Sequence, residues 1–177
     1  RDNDSTTAYR EINGAADGFP GWLVDRYDKW LFVQHDEDYA QGPLLSLHDG
    51  STAGVYYFST ERDRSITGAK KGIKPKLIEG QPAPDTIPIK ENGIVYHVNF
   101  DDLSTGIFLD QRSQRAWLSR FCTTDTKVLN CFSHCGAFSI AAATAGAETV
   151  SLDLDKKWLD RVGPQLKAKG IDDTDGR

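Results

Sequence analysis

The apolar positions along the chain change their spacing near its middle. Up to about residue 100 they gather in short runs rich in aromatic and β-branched side chains, the composition of strands. "WLVDRY" (22–27) and "WLFVQH" (30–35) are separated by Asp28 and Lys29 alone, a spacing that predicts a tight hairpin. "LLSLH" (44–48) reads as a short helix and "VYYFST" (55–60) as the next strand. "GQPAPDTIP" (80–88), dense in proline and glycine, reads as a loop. Beyond it, "IPIKENGIVYHVNF" (87–100) shows two runs around Glu91-Asn92-Gly93, a second hairpin signal. Strand, strand, helix, strand, strand makes a small α+β module.

The second half carries longer periods. "DQRSQRAWLSRF" (110–121) sets Ala116, Trp117, Leu118 and Phe121 among basic and polar residues, which predicts an amphipathic helix. A βαβ pattern follows: "KVLNCF" (127–132) as a buried-type strand, "AFSIAAATAGA" (137–147) as a helix, "TVSLDLD" (149–155) as a second strand. "KKWLDRVGPQLKAKG" (156–170) is the next helix, and Gly163-Pro164 in its middle should kink or split it. Strands alternating with helices imply a parallel, Rossmann-like sheet. Two strands are few for such a sheet, so the expectation is an incomplete α/β domain over 104–177 after a first module over 1–103. The class is α/β as a whole.

Composition narrows the setting. The 177 residues are 27% charged and 38% hydrophobic, as in a globular protein. No apolar stretch approaches the roughly 18–20 residues that cross a bilayer, and the start "RDNDSTTAYREING" has no signal-peptide core. The chain contains no methionine, and its start reads like the middle of a longer polypeptide. Cys122, Cys131 and Cys135 form no paired framework, which favours a reducing compartment, the cytoplasm or an organelle with a reducing interior. The net charge of −5 is not that of a free-standing nucleic-acid binder. Against it stands "RDRSITGAKKGIKPK" (62–76), with Arg62, Arg64, Lys70, Lys71, Lys74 and Lys76 against one acid, Asp63. That segment is either a solvated loop or a phosphate-contacting patch.

The chemistry concentrates in "VLNCFSHCGAFS" (128–139), which admits three readings. Cys131, His134 and Cys135 lie close together, but a structural zinc site wants four ligands and no second pair exists. Cys135, just before a predicted helix and beside His134, has the position of an activated thiol, yet no third group orients the pair. Cys131 falls inside the strand run and is expected to pack as a small buried hydrophobe. The third reading is a ligand cradle. A strand ends, a polar loop turns at Gly136, and a helix begins with free N–H groups that attract an anion or carboxylate. Asp153 closes the next strand, where a carboxylate accepts hydrogen bonds from both hydroxyls of a ribose. Without GxGxxG the loop suits a nucleoside lacking phosphates, and S-adenosylmethionine is such a ligand.

Three stretches carry a family resemblance: "YREINGAADGFPGWLVDRYDKWLFVQ" (9–34), "STGIFLDQRSQR" (104–115) and "VLNCFSHCGAFSIAAATAGA" (128–147). Together, in collinear order over about 9–170, they resemble the RlmI-type class I methyltransferases, S-adenosylmethionine-dependent enzymes that methylate C5 of cytosine in large-subunit ribosomal RNA. The family architecture is an RNA-binding PUA domain, a central EEHEE module and a Rossmann-like catalytic domain. The resemblance places this chain over the central module and the first part of the catalytic domain, with no PUA domain before Arg1. It implies a cofactor loop of Asn130, Phe132, Ser133, His134, Cys135 and Gly136, with Asp153 as the ribose acid. It also puts Gln111 and Arg112 beside that loop, Arg112 pairing with the methionine carboxylate. His134 and Cys135 stand where Tyr-Thr is usual, and Ala137 stands where the family has a second glycine. Asp155, where a serine is common, reads as a helix N-cap.

The chemistry implied is a cysteine thiolate adding to C6 of cytosine, so that C5 takes the methyl group and then loses its proton to a base. The family's Asp-Pro-Pro loop and catalytic cysteine are absent from the sequence, and none of the three cysteines matches that position. The catalytic residues are therefore expected beyond Arg177, and the implied partner is RNA. The quaternary state stays open, a homodimer among the options. The alternative function is a non-catalytic RNA-binding or ribosome-assembly module that kept the fold.

Overall fold

The computed structural model describes residues 4–36, 50–60, 74–101 and 104–171. The predicted helix at 44–48 and the basic positions Arg62, Arg64, Lys70 and Lys71 lie outside the described residues. The chain divides into two compact units, one of residues 1–90 and 98–105, the other of residues 91–97 and 106–177.

The first unit is built on a five-stranded sheet. In sheet order these are β1 (Ala8–Asn13), β2 (Trp22–Tyr27), β3 (Trp30–Asp36), β4 (Gly54–Thr60) and β5 (Lys76–Gly80). The β2–β3 hairpin pairs Trp22 with His35 and Tyr27 with Trp30, and Asp28 takes the left-handed conformation (φ 56°) that the tight turn demands. β3 and β4 run parallel, while β1 and β5 join antiparallel at either edge. Trp22, Val24, Leu31, Val33 and Val55 form a buried cluster, with Ile12 and Tyr57 packed against it. Around Phe100 gather the rings of Tyr27, Phe32 and Tyr56.

The sequence pattern missed β1 and β5. All of β5 is exposed, so its side chains show no burial period, and it exists through backbone pairing with β4. The two runs at 87–98 form a separate two-stranded hairpin, β6 (Ile87–Glu91) and β7 (Ile94–Val98), instead of extending the module's sheet. Asn92 and Gly93 turn it at φ 51° and 80°, the pair of positive angles a type I′ turn requires.

In the second unit the helix expected over 110–121 is a 3₁₀ turn at Leu109–Gln111 running into α1 (Arg112–Ser119). The expected apolar set divides: Leu118 packs on the core and Ala116 is half-buried, while the two aromatic residues stay outside. Trp117 and Phe121 are each 61% exposed, their rings tilted against one another with centroids 4.7 Å apart, while Arg115 is buried. The reason is Glu91, 1% exposed, which receives Arg115 Nε at 2.7 Å and Nη2 at 2.6 Å. A buried carboxylate needs such a partner more than an indole needs burial.

The βαβ unit forms as predicted: β8 (Lys127–Cys131), α2 (Ala137–Thr144) and β9 (Glu148–Leu152), with β8 and β9 parallel from Lys127–Glu148 to Cys131–Leu152. Cys122, Ala142 and Ala147 make a small core with Leu118, Val128 and Ala145. Expected as a buried strand, β8 is half exposed. Leu129 is 65% exposed, with Val150 and Leu152 of β9 also open. Cys131 is exposed as well, correcting its expected place as a buried hydrophobe. Alternate residues of a strand face opposite ways; Asn130 and Ser151 join α2's Ser139 in one hydrogen-bonded set, so Cys131 and Leu152 take the other face. The helix expected over 156–170 is split into α3 (Lys156–Leu159) and α4 (Val162–Lys167). Pro164 sits in the first turn of α4, where its missing N–H costs nothing. Among the described residues no helix is long and apolar enough to cross a membrane.

Candidate functional site

The loop between β8 and α2 is conformationally demanding. Phe132, His134 and Gly136 have φ of 59°, 50° and 72°, three left-handed residues in five. Two of them are not glycine, so tertiary contacts must hold them there. Ser133 N donates to Leu152 O at 3.0 Å, tying the loop to the end of β9, and Gly136 N donates to Ser133 O at 2.8 Å. The His134 N–H donates to Asp153 Oδ2 at 2.8 Å, and the Asp155 N–H to Asp153 Oδ1 at 3.0 Å. The His134 ring lies 4.2 Å from the Trp158 ring on one side and 5.2 Å from Phe108 on another. Lys157 and Arg161 lie over the Trp158 ring at 4.5 and 5.5 Å.

Gly136 is doubly determined. Its φ of 72° favours glycine, and a Cβ there would stand 2.7 Å from Val162 Cγ2. The chain turns from this glycine directly into α2, which has no side-chain N-cap. Its first N–H groups are therefore directed out of the helix end, the arrangement that draws an anion.

Asp153 lies one residue past β9, half-exposed. Its carboxyl is held below the usual aspartate range, first by the Asp155 backbone N–H and then by that of His134. Hydrogen bonds to the ionised form favour that form. His134 and Asp155 each donate to one oxygen, the Leu154 N–H also bears on the carboxyl, and a carboxylate has about four acceptor positions, so acceptor capacity remains for a further donor. Asp155 accepts from Lys157 N at 3.0 Å and caps α3 as the sequence predicts.

The other candidate residues divide into those that face the loop and those that build it. Ser133 is buried, and its Oγ finds no hydrogen-bond partner among the described residues. An orphaned buried hydroxyl beside a helix end fits a polar ligand group. Phe132 is 87% exposed. Cys135 is buried, its carbonyl accepting from Gln165 Nε2 at 3.4 Å. Asn130 donates through Nδ2 to Ser139 Oγ at 2.9 Å and belongs to the scaffold under the loop. Gln111 is exposed at the end of the 3₁₀ turn, and Arg112 begins α1 with Nε 3.7 Å from Glu91 Oε2. The same segment brings Phe108 to His134. No group of three or more His, Cys, Asp or Glu able to hold a metal ion occurs among the described residues. In the first unit, Lys76 is exposed on β5 and Lys74 lies 3.9 Å from Asp101.

Trp158, Phe108 and the Glu91–Arg115 pair are the components that sequence reasoning missed. An indole among lysines reads as helix surface, and a charged residue in a turn reads as solvated. Only the fold brings each to its partner.

Residues 38–175 match the family described as S-adenosylmethionine-dependent methyltransferase. A Bacillus subtilis (strain 168) protein named as the ribosomal RNA large subunit methyltransferase YwbD is 35% identical over 94% of this chain and 43% of its own length. Ribosomal RNA large subunit methyltransferase I of Alteromonas mediterranea is 33% identical, over 97% of this chain and 44% of its own length. Among solved structures, SMU.776, named as a methyltransferase and complexed with SAH, superposes with a TM-score of 0.77 at 31% identity. The match covers 96% of this chain and 44% of that one. The chain thus spans less than half the length of the relatives it matches.

Proposed function

The chain belongs to the S-adenosylmethionine-dependent methyltransferases, and from that membership we propose that it is the cofactor-holding portion of an enzyme that methylates large-subunit ribosomal RNA, at C5 of cytosine. In this reading the loop 132–136 and Asp153 hold S-adenosylmethionine, residues 104–177 begin the catalytic domain, and residues 1–103 form the module that faces RNA.

The observation that carries the reading is Asp153. Its carboxyl is held below the usual aspartate range by the Asp155, His134 and Leu154 N–H groups, and it retains acceptor capacity for a ribose hydroxyl. The α2 end and the Ser133 hydroxyl offer donors to a carboxylate beside it. Arg112, at the start of α1, supplies a cation for the methionine carboxylate. When bound, the cofactor supplies an electrophilic methyl group; the residues described here bind and orient it. The RNA substrate rests on the names of the relatives and on the basic segment 62–76, of which Lys74 and Lys76 are described.

Isothermal titration of the full-length enzyme with S-adenosylmethionine tests the site. Asp153→Ala is expected to weaken binding about tenfold or more, roughly 1.4 kcal/mol. Asp153→Asn, which keeps one acceptor oxygen, should fall between. Unchanged affinity in Asp153→Ala would end the ribose assignment.

A further inference from the structure

Helix α1 packs one side on its own unit and leaves the other open. Leu118 meets the small core, Arg115 is buried against Glu91, and Ser119 Oγ donates to Ala141 O of α2 at 3.3 Å. Trp117 and Phe121 lie outside these contacts, each 61% exposed, with ring centroids 4.7 Å apart and planes at 57°. Positions three and four residues from Trp117 share its side of the helix. They are Ser113, Gln114, Arg120 and Phe121, and all four are exposed. Residues 111–124 carry three arginines and no acid, in a chain whose net charge is −5. Arg115 is paired with Glu91, whereas Arg120, one helical turn from Trp117, is exposed.

The surroundings of the two rings identify what can cover them. Apolar exposure on the sheet of this unit is aliphatic: Leu129 and Val150 pair across β8 and β9, and Leu152 follows on the same face. A packed protein segment suits such a surface. Laid on Trp117 and Phe121, the same segment would also bury Arg120 and Gln114, a cost that only matched polar partners offset. Single-stranded nucleic acid supplies both chemistries together. A base has a π-face for an aromatic ring, and the adjoining phosphate takes a guanidinium. The two ring planes do not make one flat shelf, so the unit that fits is a single unpaired base.

We propose that Trp117 and Phe121 form a stacking platform for one unpaired base of single-stranded RNA, with Arg120 on the adjoining phosphate. This rests on the RNA reading given above, and it assigns the second unit an RNA contact separate in sequence from residues 62–76.

The test uses the full-length enzyme with labelled single-stranded oligocytidylate and, for comparison, a fully paired RNA duplex, each titrated by fluorescence anisotropy over a salt series. Trp117→Ala is expected to weaken the single strand about tenfold. Duplex affinity and the salt slope should not change, because stacking releases no counterions. Phe121→Ala should give a smaller loss of the same kind, and Trp117→Phe, which keeps a ring, should retain most of the affinity. Arg120→Gln should lower the slope by roughly 0.7, the share of one phosphate contact on a single strand. Denaturant midpoints equal to the parent's exclude a folding defect, and Trp117→Gln repeats the measurement should the alanine variant fold poorly.

Single-strand affinity unchanged in Trp117→Ala, or lowered equally for the duplex, overturns the platform and leaves the RNA reading standing. Failure of the unaltered enzyme to bind either RNA overturns both. Two further results also overturn the platform. One is Trp117 fluorescence, taken as the difference from Trp117→Phe, that acrylamide cannot quench in the RNA-free enzyme; the ring is then covered by the chain itself. The other is self-association in sedimentation that Trp117→Ala abolishes, which makes this face a contact between copies of the protein.

Discussion

Gly136 shows how one residue joins the fold to the site. A side chain there meets two penalties, the left-handed conformation and the methyl groups of Val162. Gly136→Ala is expected to destabilise the full-length protein by about 2 kcal/mol or more, read from the denaturant midpoint. Adding Val162→Ala should recover the part due to contact and leave the conformational part. The need for glycine at 136 was legible, because a strand–loop–helix turn calls for it. The fates of the two nearby cysteines were not. Cys131 is exposed and Cys135 buried, the former against expectation, because strand orientation is set by the Asn130–Ser139–Ser151 hydrogen bonds. No local pattern reveals which of two half-polar faces will meet the helix.

At the scale of elements, the cap and the break were the most readable features. Asp155 accepts the Lys157 N–H at the start of α3, and its own N–H is among those that anchor Asp153. Asp155→Ala should cost about 1 kcal/mol of stability, the usual price of an N-cap. Because the backbone bond to Asp153 survives the substitution, S-adenosylmethionine affinity should change far less than in Asp153→Ala. Affinity falling as far as in Asp153→Ala would show that α3 itself orders the site. Proline chemistry foretold the split between α3 and α4, since Pro164 is tolerated only in a helix's first turn. Helix α1 defeated the same style of reasoning. Its apolar spacing pointed to Ala116, Trp117, Leu118 and Phe121 as the buried face; Leu118 packs on the core, but Trp117 and Phe121 are exposed, and a buried glutamate from a distant hairpin drew Arg115 inside.

For the whole molecule, the prediction concerns RNA. Reversing Lys70 and Lys71 to glutamate is expected to lower the RNA affinity of the full-length protein and to flatten its dependence on salt. Loss of two phosphate contacts should reduce the slope of log affinity against log salt by roughly 1–2. Filter binding over a salt series reads both quantities; an unchanged slope would return 62–76 to a solvated loop. What the sequence determined by itself was whatever depends on near neighbours: the β2–β3 hairpin, the Asn92-Gly93 turn, the βαβ order, the Asp155 cap, the Pro164 break and the strand-end place of Asp153. Only the tertiary structure decided that Trp158 and Phe108 flank His134, that β5 is a strand, and that Glu91 holds Arg115. Turn angles, caps and side-chain periods act over a few residues and leave marks in composition. Pairings between residues far apart in the chain are selected by burial and charge compensation, which come into being only when the segments meet.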